Sequence, residues 1–150
     1  VMIALQRVGC FLAGCCWGDL SAHPDLFALA VSYPPGSLPY NYQVFIGLLP
    51  AGAGSSLPVY PVQLYELILV LGAALALGRM PAGSSAPGAV ALWCTIAYAL
   101  IRTGTEFLRG DVVTSWMSLT SVQWQCLLIM ALAIVFLATL SFQRSPGPGT

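Results

Sequence analysis

Four hydrogen-bonding side chains recur at helical spacing in the stretch Tyr98-Ala-Leu-Ile-Arg102-Thr-Gly-Thr-Glu106-Phe-Leu-Arg109. On a helix, Arg102 lies about 40° round from Tyr98, Glu106 about 80° and Arg109 about 20°, so the four share one narrow face, with Trp93 opposite. Guanidinium, carboxylate and phenol together suit a phosphate ligand. The planar guanidinium fork holds two phosphate oxygens, and the carboxylate orients the arginine or accepts a proton. The stretch closes an apolar run from Pro87 to Ile101. A charge at the centre of a membrane helix costs roughly 2.5–3.5 kcal/mol, so such a face turns toward protein or a wet cavity. The plainer alternative is an Arg102–Glu106 pair that only locks a helix bundle.

Other polar residues interrupt other apolar segments. Arg7 stands about 16 Å along a helix from Gly18, near mid-bilayer depth. Gly14 and Gly18 form a GxxxG step, and Cys10 continues it as a small-residue stripe that admits a close backbone. Gly9 and Gly14 are also points where the helix can break. Gln63 and Glu66 lie one turn apart on one face, with Glu66 about 7 Å from its helix start. With Arg102 about 10 Å from the outer end of its own helix, charges from three helices are expected to converge in the outer half of a bilayer.

Composition sets the elements that must carry these groups. Hydrophobic residues make up 58% of the 150 and charged residues 7%, against about 25% charged in a soluble domain. The mean hydropathy is +0.85. The expected fold is all-α, a polytopic integral membrane helix bundle with about four transmembrane segments, near 1–18, 61–79, 89–109 and 121–142. The 19–60 stretch carries six prolines and no lysine or arginine. It is expected to lie on the bilayer as an extracytoplasmic arm, anchored by Tyr33, Tyr40 and Tyr42. Residues 80–88 are expected to form a tight turn, 110–120 an exposed loop with Trp116 at the interface, and 143–150 a disordered tail. Arg79 and Arg144 place the second turn and the C-terminus in the cytoplasm. The chain opens inside an apolar stretch without a start methionine, as in the C-terminal part of a longer protein.

Several classes lack support. Net charge is zero, so no nucleic-acid partner is implied. There is no phosphate-binding glycine loop, no HExxH and no GxSxG elbow, and no cofactor is expected. His23 is the one histidine, precedes a proline, and reads as a solvated loop residue. The cysteines at 10, 15 and 16 do not converge as metal ligands on a straight helix, where Cys10 and Cys15 lie about 140° apart and Cys15 and Cys16 about 100°. Cys15–Cys16 is a poor disulfide pair. Small-residue packing is the expectation, and no metal site is expected.

The motifs resemble those of the bacterial prolipoprotein diacylglyceryl transferase family in four blocks, in order, over about 120 residues. Arg7-Val-Gly-Cys-Phe-Leu-Ala-Gly-Cys-Cys-Trp-Gly18 resembles that family's R-x-G-N-F-x-N-G-E-x-x-G signature. Tyr60-Pro-Val-Gln-Leu-Tyr-Glu66 is similar to its HPxQLYE block. Tyr98-x3-Arg102-x3-Glu106-Phe-x-Arg109-x-Asp111 resembles the third block, and Ser121-Val-Gln123 the start of the last helix. The chain departs at Cys10, Ala13 and Cys15, where the family has Asn, Asn and Glu, and at Asp19 and Tyr60.

The resemblance implies a bacterial inner-membrane enzyme that moves the diacylglyceryl group of phosphatidylglycerol onto the lipobox cysteine of a prolipoprotein signal peptide. It assigns Arg7 and Arg102 to the headgroup and leaving phosphate, with Glu106 and Tyr98 as essential neighbours. It implies that Gly14 and Gly18 shape the site and that Gln63, Tyr65, Glu66 and Arg109 support it. Two rival functions remain: a phospholipid-binding or assembly protein that kept the arginine pocket without the chemistry, and a membrane thiol-redox protein using Cys10, Cys15 and Cys16.

Overall fold

A computed structural model of the protein describes residues 2–21, 30–80, 87–110 and 117–144. Among them it is all-helical: α1 (Met2–Leu12), α2 (Leu38–Phe45), α3 (Val62–Gly78), α4 (Ala89–Glu106) and α5 (Ser121–Arg144). Extended backbone occurs only as isolated bridges. The chain divides into two compact units, Val1–Ile68 with Thr105–Val113, and Leu69–Gly104 with Thr114–Thr150.

In the first unit, α1 stops at Leu12, short of the expected 1–18 span. Gly14 ends it, adopting the left-handed conformation with φ of 65°. Gly14 N–H donates to Phe11 O at 3.1 Å and Cys15 N–H to Cys10 O at 3.0 Å. These are the paired bonds of a Schellman cap, which needs a residue tolerant of positive φ at that position. Gly9, the other expected break, stays helical.

The described residues of the 19–60 stretch are folded into this unit. Pro39 sits in the first turn of α2, where its missing N–H costs nothing. Gln43, buried on α2, accepts from Leu57 N–H at 2.7 Å and donates to Leu57 O at 3.4 Å. Tyr33 and Ser56 bond reciprocally, Tyr33 N–H to Ser56 Oγ and Ser56 N–H to Tyr33 O, each at 2.8 Å. Tyr33 and Tyr40, expected as bilayer anchors, are instead only 6% and 8% exposed within the protein, while Tyr42 is exposed and packs on Trp17. Leu20 and Val31 both pair with Val59 through bridges, which fixes the return of the chain to α3.

In the second unit the helices bury narrow stripes. Ile96, Ala99 and Arg102 are buried on α4, and Gln123, Cys126 and Ala133 on α5, at steps of three or seven. Trp93 is exposed, as its place opposite that face requires. Thr95 and Thr103 donate their hydroxyls to carbonyls four residues back, at 2.9 and 2.8 Å, so neither seeks solvent.

Of the four expected membrane segments, one is long and apolar enough among the described residues. Ser121–Phe142 has 22 residues and a mean hydropathy of 2.4. At about 1.5 Å per residue it reaches about 33 Å, the thickness of a hydrocarbon core. Met2–Leu12 and Val62–Gly78 are apolar but shorter. α4 ends at Glu106 rather than 109, and α5 runs on to Arg144, past the expected start of the tail. Most of the 80–88 turn, the 111–116 part of the loop with Trp116, the last six residues and His23 lie outside the described residues.

Candidate functional site

The first unit gathers most of the residues singled out from the sequence. Arg7 is buried on α1, and its Nη2 lies 2.7 Å from Glu66 Oε1 on α3. Glu66 is 1% exposed. A buried pair of this kind contributes little net stability, because desolvating both charges offsets their attraction. What it does is hold a guanidinium in one place. In the same unit Glu106 is buried, and Arg109 Nη1 stands 3.9 Å from Glu106 Oε2 across one helical turn. Arg109 thus turns toward Glu106 as expected, while Asp111 lies outside the described residues.

Gln63 is the hub between α3, the arm and the cap of α1. Its Nε2 donates to Cys15 O at 2.7 Å and to the Tyr33 hydroxyl at 3.3 Å. Its Oε1 is buried and has no hydrogen-bond partner among the described residues. Burial pushes the Tyr33 hydroxyl above a tyrosine's ordinary pKa, and the Gln63 hydrogen bond pulls it part of the way back. Tyr33 therefore stays a neutral phenol and stacks edge-on against Phe11, with centroids 6.3 Å apart. Tyr65 is half-buried on α3.

The two site glycines act by different physics. Gly14 supplies the left-handed cap, with Tyr33 Cδ1 only 3.3 Å from where a Cβ would stand. Gly18 supplies close approach. Its N–H donates to Tyr60 O at 2.8 Å, and a Cβ there would meet Tyr60 O at 2.6 Å and Val62 Cγ2 at 2.7 Å. Nothing larger than hydrogen fits beside the extended segment entering α3. Gly18 also bridges Arg109, so one backbone position ties the α1 exit to both the start of α3 and the end of α4.

The second unit holds Arg102, 9% exposed, and Tyr98, half-buried, both on α4. It also holds a residue whose local role the sequence reading missed. Gln123 and Thr120 cap α5 reciprocally: Gln123 N–H donates to Thr120 Oγ1 at 3.1 Å, and Thr120 N–H to Gln123 Oε1 at 2.8 Å. Gln123 Nε2 then reaches Thr103 O on α4 at 3.3 Å. The signal was present as Thr120-Ser-Val-Gln123, a capping box ahead of an apolar run.

The three N-terminal cysteines depart from expectation. Because α1 ends in a cap rather than running straight, the Sγ atoms of Cys10, Cys15 and Cys16 lie within 4.8 Å of one another.

The arrangement can bind an anion. It sets the buried Arg7 and the half-buried Arg109 against the carboxylates of Glu66 and Glu106, with the buried Gln63 one helical turn from Glu66 on α3. A family model described as prolipoprotein diacylglyceryl transferase matches residues 1–139. No curated protein and no solved structure matches the chain significantly.

Proposed function

Since the chain belongs to the prolipoprotein diacylglyceryl transferase family, a transferase family of lipoprotein biosynthesis, we propose that it moves the diacylglyceryl group of phosphatidylglycerol onto the lipobox cysteine of a prolipoprotein. The observation that carries the reading is the buried Arg7 held at 2.7 Å by Glu66. In the reaction the lipobox sulfur attacks the glycerol carbon that bears the phosphate ester. The C–S bond forms and the C–O bond breaks. Its electron pair leaves on glycerol phosphate, and the thiol proton passes to a carboxylate or to water. Charge therefore builds on the departing phosphate, and fixed cations aimed there lower the barrier. Arg7 takes that role, and Glu66 keeps its fork in place for two phosphate oxygens. Glu106 and Arg109 form the second charged pair of the same unit.

Gln63 supports the choice of donor lipid. A buried acceptor left unpaired costs about 1–3 kcal/mol. A headgroup hydroxyl, which glycerol has and a bare phosphate monoester of the diglyceride lacks, donates to Oε1. Resemblance to the third family block supports reading Arg102 as a phosphate ligand and Tyr98 as its neighbour on α4. The exposed apolar side chains of α5, including Leu128, Leu132, Val135 and Phe136, fit a lipid environment that brings the donor to the protein.

The test is transfer from phosphatidylglycerol vesicles to a lipobox peptide by the reconstituted chain, read as the mass of the lipidated peptide and as released glycerol phosphate. Arg102→Lys keeps the charge but loses the fork, and a lost transition-state contact of about 2.7–4 kcal/mol lowers the rate roughly 10²–10³-fold. Absence of transfer by helical, membrane-inserted wild-type protein would sink the reading. A near-normal rate in Arg102→Lys would leave the phosphate to Arg7 alone.

A further inference from the structure

The cap of α1 does more than end a helix. In a Schellman motif the residues three before the cap and two after it are brought into side-chain contact. Here those positions are Cys10 and Cys15, and Cys15 Sγ lies 3.5 Å from Cys10 O. Cys16 follows with φ of 59°, a left-handed conformation in a residue with a Cβ, which turns its side chain back toward the other two. All three thiols are free and half-buried. Their sulfurs fall within 4.8 Å of one another, and no His, Asp or Glu joins the group among the described residues. From the far side Gln63 pins the Cys15 carbonyl at 2.7 Å.

We propose that Cys10, Cys15 and Cys16 form a three-thiolate site for a soft monovalent metal ion, Cu(I). The donor set chooses the ion. Thiolates select Cu(I), zinc and iron–sulfur clusters over hard cations. Structural zinc takes four protein ligands in a tetrahedron, and the group offers three. Cu(I), a closed-shell ion, is satisfied by three sulfurs in a plane. Binding is written as Cu(I) plus three thiols giving a copper tris-thiolate and three protons, with no change of oxidation state. The site is local, lying within one cap of one unit, with Cys10 one helical turn beyond Arg7 on α1, and none of its three ligands is Arg7 or Glu66. Gln63 positions it by holding the Cys15 peptide.

The experiment uses the full chain, reduced and anaerobic, in lipid nanodiscs, with Cu(I) delivered from a competing chelator. One Cu(I) per chain is expected, with three sulfur neighbours by X-ray absorption. Bound Cu(I) should protect Cys10, Cys15 and Cys16 together from alkylation, mapped by mass spectrometry, while the exposed Cys94 still reacts. Each of Cys10→Ser, Cys15→Ser and Cys16→Ser should weaken binding more than the roughly 10–100-fold that loss of an outer-shell partner costs. Cys94→Ala should not weaken it. The alkylation pattern needs no variant, so it decides the matter even if a serine variant folds poorly. Protection of two cysteines only, a fourth non-sulfur neighbour with preference for zinc, or a Cys10 disulfide that excludes the metal would each overturn the proposal.

Discussion

Arg7 and Glu66 show how a single contact changes the meaning of a residue. Read alone, Arg7 is a costly charge in an apolar segment. Placed 2.7 Å from a carboxylate that is itself 1% exposed, it becomes a fixed cation. Removing one partner of a buried pair leaves the other uncompensated, at about 3–5 kcal/mol. Glu66→Gln is therefore expected to lower stability by that order, measured by denaturant unfolding in detergent, and to lower transfer as well. Glu66→Gln with wild-type stability would mean that other groups hold Arg7. Gln63 belongs to the same scale. Its Nε2 ties Cys15 and Tyr33 together, which fixes the amide and leaves Oε1 for the role proposed toward the lipid.

Helix ends decide more here than helix middles. The cap at Gly14 stops α1 and folds three cysteines together, and Gly18 lets the next backbone pass the start of α3. At the other end of the chain, Thr120 and Gln123 begin α5 with a reciprocal cap. Losing a cap costs about 0.5–2 kcal/mol. Gln123→Ala is expected to cost at least that much, because the Thr103 contact goes with it, whereas Gln125→Ala on the exposed face should be close to neutral. Hydrogen exchange at the Thr120 and Gln123 amides reports the cap directly. Unchanged exchange in Gln123→Ala would show that α5 starts independently of it.

Across the whole molecule, the polarity is inverted relative to a water-soluble protein. Arg7, Gln63, Glu66, Arg102, Glu106 and Gln123 are buried, while large apolar side chains of α3 and α5 are exposed. Lipid selects this pattern, since charges must face protein and apolar surface is free to face the bilayer. The orientation we propose places the 19–60 segment outside the cytoplasm, because it has no lysine or arginine, and the Arg79 end of α3 inside. Ser55 and Met80 are both exposed. Over the background of the protein's own cysteines, Ser55→Cys should react with an impermeant maleimide in intact cells, and Met80→Cys only after permeabilisation. The reverse pattern would invert the topology and carry Glu66 away from the outer leaflet.

The amino-acid sequence by itself determined the helical class, the faces of α4 and the family blocks. These depend on local periodicity and residue type: a run of apolar residues broken by Arg102 and Glu106 reads the same wherever it is packed. It also put Trp93 on the exposed side and Arg109 near Glu106. Tertiary structure decided the partners. Glu66 meets Arg7 across 59 residues of chain, and Gln63 meets Cys15 across 48, distances over which no periodicity carries information. Gly14 is the sharpest case. Glycine suits a close-packed helix stripe and a left-handed helix stop equally well. Tyr33 packed against Gly14, and the Cys15 carbonyl taken by Gln63, accompany the stop. The same stop turned three cysteines that diverge on a straight helix into one cluster, and packing within the unit buried Tyr33 and Tyr40, which residue type alone assigns to a bilayer surface.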